Sequence, residues 1–244
     1  IITPEQAAGR ISAVLDTLEA LPKWHGHLYN WYSTQTLEIL QPPYVSTVDS
    51  GNLCACLTAL RRGLLEYGFD DLAGRAGALA ETMDFSLLLD REKMLLRIGI
   101  NTAGSDDPGC YDLLAGEARL TAFLAVARGD VPKKLWTCMS RALAARGHRR
   151  GMVSWTGTMF EYLMPELLLP SYPASLLYET HHFCLYVQKK RTAGLPWGCS
   201  ESAYHALDPS LSYRYKAHGC QALALCPGMD DELVISPYSS FLAL

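Results

Sequence analysis

Three glutamates stand in segments where a freely solvated charge would be unusual. Glu117 closely follows Asp112, Glu161 lies in an apolar stretch, and Glu201 comes four residues after Trp197. Carboxyl groups held together in aromatic surroundings have their proton affinities tuned apart by burial and mutual repulsion. Glycosidic bond cleavage uses such a pair, one carboxyl as proton donor and one as nucleophile or base. For each glutamate alone, the alternative is an ion pair with a neighbouring Arg or Lys.

Residues 24–32 and 42–52 combine aromatic side chains with amides, hydroxyls and carboxylates in loop-like sequence. The apolar faces of pyranose rings stack on aromatic side chains and their hydroxyls bind polar groups, so this composition is typical of a sugar cleft. The alternative is an aromatic core around a proline turn. Candidate substrate-binding residues here and around the later glutamates are Tyr29, Asn30, Trp31, Tyr32, Asp49, Asn52, Trp155, Tyr162, Trp197 and Tyr204. We expect Tyr29, Trp31, Asp49, Trp155 and Trp197 to line one cavity.

The residues give little support to several other classes of function. A net charge of −4 argues against a nucleic-acid partner. The pairs His25/His27 and His181/His182 lack the helical spacing of common zinc sites, so no metal is expected. The sequence lacks a glycine-rich phosphate loop and a Gly-x-Ser-x-Gly elbow, and no cofactor is expected. Its apolar runs are too short to span a bilayer.

Periodic apolar residues predict a mainly helical chain. Spacings of three and four over residues 4–21 indicate an amphipathic helix that ends before Pro22. A second helix is predicted around residues 53–64, capped by Ser50 or Asp49, and two short strands over residues 85–89 and 94–100. Further helices are predicted over residues 70–83, 111–128, 132–145, 174–190, 201–206 and after Pro237. Long loops between helices favour paired helical hairpins arranged in a barrel or an arc.

Several of these segments together match one known family and cover most of the chain from Gly26 onward. They are residues 26–32, 44–53, 84–99, 111–129, 154–165, 197–204, 213–217 and 237–238. Through them the chain resembles the glycoamylase-like central region of cyclic β-1,2-glucan synthases, related to endo-β-1,2-glucanases. The resemblance implies an all-α fold, an (α/α)6-type toroid with a small β excursion, incomplete at its N-terminus because the family's upstream helices are missing.

The resemblance also implies a function. Residues 1–244 are expected to form a single carbohydrate-active domain of a larger protein, a cytoplasmic part of an inner-membrane enzyme. Its substrate would be linear β-1,2-glucan supplied by a neighbouring glycosyltransferase domain. The region would cleave or transglycosylate that chain, to control its length or close a ring. The resemblance favours Glu117 and Glu201 as the catalytic pair, with Glu161 as a substrate ligand or replacement, and adds Tyr215 and Lys216 to the substrate-binding candidates.

Two alternatives remain open at this point. The aromatic cleft could belong to a binding module that holds a growing glucan without doing chemistry itself. A phosphorylase-like activity is the other alternative, since helical toroids of that type adjoin the family. Phosphate dependence of product formation would separate the phosphorylase from the hydrolase or transglycosylase.

Overall fold

The structure, a computed structural model, describes residues 2–104, 109–192 and 196–244. Helices are the main elements of these residues, and the strands are short, which confirms the predicted mainly helical fold with a small β excursion. Eight α-helices fall in the described ranges: α1 (Pro4–Ala20), α2 (Thr47–Glu66), α3 (Asp70–Glu81), α4 (Arg119–Arg128), α5 (Lys134–Cys138), α6 (Met159–Leu163), α7 (Leu176–Thr192) and α8 (Pro237–Phe241). None of them is long and apolar enough to span a bilayer.

The strands form small antiparallel sheets. In chain order they are β1 (Lys23–Trp24), β2 (His27–Leu28), β3 (Tyr44–Ser46), β4 (Leu89–Asp90), β5 (Leu95–Arg97), β6 (Gly99–Asn101), β7 (Cys110–Tyr111), β8 (Leu143–Arg146), β9 (Arg149–Met152), β10 (Glu201–Ala203) and β11 (Tyr215–Ala217). Strand β5 pairs with β4 on one side and β7 on the other, whereas β3 pairs with β6. The strand predicted over residues 85–89 is wrong, because Phe85–Leu88 forms a 3-10 helix and pairing begins only at Leu89. The strand predicted over residues 94–100 divides into β5 and β6, which pair with different strands.

The chain divides into two compact units. The first contains Ile1–Tyr111 and Leu120–Cys138, and the second contains Asp112–Arg119 and Met139–Leu244. All three candidate catalytic glutamates belong to the second unit. The single domain expected over residues 1–244 stays a prediction.

The first unit is built on the hairpin of α2 and α3. Helix α3 presents small buried residues to its partner, among them Ala73, Ala76 and Ala80, so the two helices pack closely. Arg75 on the same helix binds Asp16 and Glu19 of α1, at 2.6 and 2.8 Å. These ion pairs are partly exposed, so they contribute little to the stability of the unit and mainly fix the position of α1 along α3.

Local capping explains where several helices begin and end. Thr3 and Gln6 form a capping box at the start of α1, and the predicted helix over residues 4–21 is confirmed. Helix α2 begins earlier than predicted because Ser46, not Ser50 or Asp49, accepts the N–H of Asp49 as the N-cap. Helices α3, α7 and α8 confirm those predicted over residues 70–83, 174–190 and after Pro237.

Two predicted helices are wrong because tertiary pairing overrides helix propensity. The helix expected over residues 132–145 stops at Cys138, and Leu143–Arg146 pairs instead with β9. Gly147, at φ 60°, closes this hairpin in a conformation that glycine adopts easily. The helix expected over residues 201–206 is replaced by β10, which pairs with β11.

Two glycines of α2 make a matched pair for a stability measurement. A Cβ at Gly51 would lie 1.9 Å from Thr121 Oγ1, while one at Gly63 would meet no described atom within 4 Å. Gly51→Ala is expected to lower the free energy of unfolding by about 1–3 kcal/mol through overpacking. Gly63→Ala is expected to raise it by about 0.5–1 kcal/mol through helix propensity. Urea denaturation checks both signs, and equal effects of the two substitutions would contradict the close approach of α4 to α2.

Candidate functional site

The β10–β11 hairpin of the second unit carries the first candidate carboxyl. Its register pairs Glu201 with Ala217 and Ala203 with Tyr215, so Glu201 and Tyr215 are diagonal neighbours on one face. The Tyr215 hydroxyl donates a hydrogen bond to Glu201 Oε2. Glu201 begins the segment predicted as a helix over residues 201–206, but the ladder with β11 makes it the first residue of a strand.

Electrostatics connect Glu201 with Glu117. Burial raises the pKa of Tyr215, and the hydrogen-bonded Glu201 raises it further, followed by smaller contributions from Tyr238 and Glu117. Glu201 and Glu117 therefore both act on the same phenol, although they are 84 positions apart in the sequence (201 − 117). The fold thus brings the two carboxyls into one electrostatic neighbourhood.

The Glu201 carboxyl is partly buried beneath this tyrosine. Burial raises its pKa, the Tyr215 hydrogen bond lowers it, and the charge of Glu161 raises it again. A carboxyl whose pKa is raised keeps its proton to higher pH, as a proton donor in glycosidic bond cleavage must. Glu201 therefore has the electrostatic setting of an acid.

Glu117 lies in a turn and not on the helix predicted over residues 111–128. The backbone of Leu113 bridges to Ser140, and the Leu114 N–H donates to the Ser140 carbonyl at 3.0 Å. These bonds commit the backbone before Glu117 to non-helical pairing, so α4 begins only at Arg119. The predicted helix over residues 111–128 is therefore wrong for the segment that contains Glu117. The side chain is partly exposed.

Arg119 anchors the end of this turn. It is 1% exposed, and its guanidinium donates to the carbonyls of Glu161 and Tyr162 and, at 3.2 Å, to the carboxylate of Glu166. Burial lowers the pKa of Arg119, which Glu166 opposes. His181 also contacts the guanidinium, and burial, followed by the positive charge of Arg119, lowers its pKa to about 3. His181 is thus neutral, and the buried positive charge rests on Arg119.

Glu161 has a structural role in this arrangement. Its carboxylate accepts from the hydroxyls of Ser154 and Thr156, both at 2.7 Å, and from the Thr156 and Thr158 N–H groups. Together with Thr158 it also forms the capping box of α6. Most of these bonds end on Oε2, whereas among the described residues Oε1 accepts only the Thr156 N–H, at 3.3 Å. The contacts give Glu161 a loop-fixing role, and its assignment as a catalytic alternative stays a prediction.

The loop that Glu161 holds presents Trp155. This side chain is 45% exposed, and its indole N–H donates to Asp112 Oδ1 at 2.9 Å. A tryptophan held by one polar contact with an exposed ring face is suited to stacking against a sugar. Asp112 was not among the predicted site residues, because nothing local in the sequence connects it to a residue 43 positions away.

The other predicted substrate ligands of the second unit have different surroundings. Tyr162 is fully buried, with its hydroxyl between the carbonyls of Met152 and Leu223. It is therefore a core residue, and its assignment to substrate binding is wrong. Trp197 is half-buried under the Lys189 ammonium, 4.8 Å from the ring centroid.

Tyr204 and Lys216 both donate to the carboxylate of Glu232. Strand alternation places Lys216 on the opposite face of the hairpin from Tyr215 and Glu201. The fold therefore does not bring Tyr204 and Lys216 together with the glutamate pair, and their binding role stays a prediction.

The predicted aromatic cleft residues of the first unit are tied mainly to backbone. The Tyr32 hydroxyl accepts from the Tyr29 N–H and donates to the Pro22 carbonyl, and Asn30 Oδ1 accepts from the Ser46 N–H. These bonds shape the loop before β3 and leave Trp31 50% exposed.

Two further candidates lie in the first turns of α2. Asp49 is exposed, and the Asn52 Oδ1 atom is buried with no hydrogen-bond partner among the described residues. The cavity expected to join Tyr29, Trp31 and Asp49 with Trp155 and Trp197 stays a prediction, because the two sets belong to different units.

Metal chemistry finds no obvious scaffold in the described part of the chain. Within it, no three His, Cys, Asp or Glu side chains cluster as a metal ion would require.

Removing the Tyr215 hydroxyl should change the proton affinity of Glu201 in a definite direction. The hydrogen bond from Tyr215 stabilises the ionised carboxylate, so Tyr215→Phe is expected to raise the pKa of Glu201. Carbon NMR titration of labelled glutamate carboxyls measures this, with the Glu201 signal assigned by its loss in Glu201→Gln. Tyr213→Phe, which changes an exposed tyrosine two residues away, is the control. An unchanged or lowered pKa in Tyr215→Phe would contradict the bond.

Comparison with known proteins adds to this geometry. No family model matches the chain. The chain is 28% identical over 369 residues to the cyclic β-(1,2)-glucan synthase NdvB of Rhizobium meliloti (strain 1021), covering 98% of this chain and 13% of NdvB. This chain is similar to part of a cyclic β-1,2-glucan synthase. The resemblance inferred from the sequence motifs is confirmed.

Two solved structures share the fold. An endo-β-1,2-glucanase from Chitinophaga pinensis, in complex with sophorotriose and glucose, superposes with a TM-score of 0.72 at 15% identity, covering 92% of this chain and 60% of that one. A glucoamylase-like protein from Bacteroides fragilis NCTC 9343 also gives a TM-score of 0.72 at 15% identity, covering 99% and 64%. These likenesses confirm the predicted α/α-toroid fold class.

The relatives are longer than this chain. It spans 13% of NdvB and less than two thirds of either solved structure. The NdvB alignment is itself longer than the chain, 369 against 244 residues, so NdvB carries segments that have no counterpart in this sequence. The incompleteness expected at the N-terminus of the toroid stays a prediction.

Proposed function

We propose that this chain is an enzyme domain that cleaves or transfers the glycosidic bonds of β-1,2-glucan, with Glu117 and Glu201 as its catalytic pair. The observation that carries the proposal is the partly buried Glu201 carboxyl, which accepts a hydrogen bond from the Tyr215 hydroxyl. The charge of Glu117 also raises the pKa of Tyr215. Similarity to a cyclic β-1,2-glucan synthase and to the fold of an endo-β-1,2-glucanase supports the substrate. The carboxyl pair alone would leave the substrate unassigned, and the similarity alone would leave the catalytic residues unassigned.

The two carboxyls receive different roles in this proposal. Glu201 donates the proton to the departing glycosidic oxygen, because burial raises its pKa. Glu117 attacks the anomeric carbon, or activates a water that does so. Trp155, oriented by Asp112, supplies a stacking surface for a sugar ring.

The wider setting follows from the same similarity. NdvB is a glucan synthase of which this chain covers 13%, and we infer that a neighbouring glycosyltransferase domain of the same polypeptide supplies linear glucan to this domain. The domain would then act at the cytoplasmic side of an inner-membrane enzyme, adjusting chain length or closing the ring.

Product analysis tests the proposal against its alternatives. The chain is incubated with linear β-1,2-glucan, with and without inorganic phosphate, and the products are identified by mass. Shorter chains or rings formed without phosphate are the expected products. Sugar phosphates formed only with phosphate would select a phosphorylase, and bound but unchanged glucan would select a binding module.

The anomeric configuration of the product separates a route through a covalent glycosyl-enzyme from direct displacement by water. Ring closure by transglycosylation is expected to retain configuration, because a covalent glycosyl-enzyme lets a sugar hydroxyl replace water as acceptor. Proton NMR of the first products reports their configuration directly. An inverted product would rule out the covalent route through Glu117 and leave it the role of a base.

A further inference from the structure

The β8–β9 hairpin concentrates positive charge in a chain that is acidic overall. Residues 139–160 contain four arginines and no Asp or Glu, while the whole chain carries a net charge of −4. Arg146, Arg149 and Arg150 lie at or beside the turn of the hairpin, together with His148. Opposed positive residues in one hairpin repel each other, so this arrangement is costly unless an external anion neutralises it.

Tyr186 of α7 joins this hairpin to further positive charge. The His148 ring lies 5.6 Å from the Tyr186 ring, and the Arg149 guanidinium lies 5.8 Å from its centroid. On the other side the Lys190 ammonium lies 5.9 Å from the same ring. The phenol therefore holds three basic groups within one small area of the second unit.

These basic side chains have no acidic partners among the residues that the structure describes. Across the described ranges, Arg146, Arg149, Arg150 and Lys190 form no ion pair. The groove beside the hairpin contains one carboxylate, that of Glu179. A single acidic side chain leaves most of the positive charge available to an outside partner.

Exposed leucines accompany the charge. Leu143 is 62% exposed and Leu176 is 42% exposed, and both line a groove of about 510 Å³ with His148, Arg149 and Arg150. An anionic lipid surface satisfies both features, since phosphate headgroups bind the arginines and the acyl boundary accepts the leucines. A nucleic acid would use the arginines and leave the leucines in water.

We propose that this basic face binds the surface of an anionic phospholipid bilayer. The basic face consists of the groove residues Leu143, His148, Arg149, Arg150 and Leu176, with Arg146 beside them at the turn and Lys190 beside them at Tyr186. Arginine–phosphate contacts supply the attraction, and the leucines anchor the hairpin at the headgroup boundary. The face is separate from the Glu117 and Glu201 pair, so the proposal does not depend on the proposed enzyme activity.

Vesicle sedimentation with the full 244-residue chain tests the proposal. The chain is expected to sediment with vesicles of phosphatidylcholine and phosphatidylglycerol at about 7:3, and not with phosphatidylcholine alone. Arg146→Glu/Arg150→Glu is expected to weaken this binding about 10-fold or more, as is raising the salt to about 0.5 M. Leu143→Ser is expected to weaken vesicle binding and to leave any binding of a single-stranded oligonucleotide unchanged.

A charge-matched variant completes the design. Arg10→Glu/Arg91→Glu makes the same change in net charge at two exposed positions of the first unit, and it should bind vesicles as the parent does. Circular dichroism verifies that each variant is folded before it is scored. Absence of sedimentation, equal binding to neutral vesicles, equal loss in the charge-matched variant, or tighter binding to the oligonucleotide than to the vesicles would each overturn the proposal.

Discussion

Glu117→Gln and Glu201→Gln are each expected to lower turnover of linear β-1,2-glucan by a factor of about 10² or more. Glutamine keeps the shape of the side chain and removes its capacity to donate a proton or attack the anomeric carbon. Affinity for the glucan should change much less, because the stacking surface of Trp155 remains in both variants. Initial rates of product formation and equilibrium binding to the same glucan separate the two effects.

Glu161→Gln is the matched control for that pair. Its carboxylate holds the 154–158 loop through hydrogen bonds from hydroxyls and N–H groups, and an amide nitrogen would face some of these donors. The substitution is expected to lower the free energy of unfolding by about 1–3 kcal/mol, while folded protein loses much less turnover than the Glu117→Gln and Glu201→Gln variants do. If Glu161→Gln alone abolished turnover and the other two variants stayed active, the chosen pair would be wrong.

Arg119→Met is expected to destabilise the protein by about 3 kcal/mol or more. The guanidinium is buried and compensates the Glu161 and Tyr162 carbonyls and the Glu166 carboxylate, so removing it leaves several polar groups without a partner. The turn that carries Glu117 should loosen as well. Chemical denaturation at neutral pH gives the free energy of unfolding.

An exposed arginine provides the comparison for Arg119. Arg62 pairs with Glu66 one helical turn away, and their side chains are 76% and 59% exposed. Arg62→Met is expected to change stability by no more than about 0.5 kcal/mol, since exposed ion pairs contribute little. A similar loss of stability in Arg119→Met and Arg62→Met would mean that the burial of Arg119 is not the reason why its replacement destabilises the protein.

The helices that the sequence predicted well are those with strong local signals. Helix α1 has an apolar stripe, a capping box and a following proline, all readable within about 20 residues. The errors occur where distant residues decide the structure. Leu113 and Leu114 look helical in the local pattern, yet their backbone pairs with Ser140. Such a pairing depends on residues that a local window does not contain.

In the candidate site, too, local sequence signals could be recognised and contacts between distant residues could not. Aromatic and carboxyl composition indicated Glu117, Glu201 and Trp155 from the sequence. The structural role of Glu161 could not be read in the same way, because its apolar neighbours hide the hydroxyls and N–H groups that fold around it. Nor could the support of Trp155 by Asp112 be predicted, since only the folded chain brings them together.

Incubation of the chain with linear β-1,2-glucan, beside matched β-1,3- and β-1,4-glucans, tests the proposed function most directly. Products are identified by mass, and Glu201→Gln serves as the inactive reference. The expected result is shorter chains or rings from β-1,2-glucan alone, formed without phosphate and lost in the Glu201→Gln variant. Equal action on all three linkages, or undiminished product from Glu201→Gln, would contradict the proposal that Glu117 and Glu201 process β-1,2-glucan.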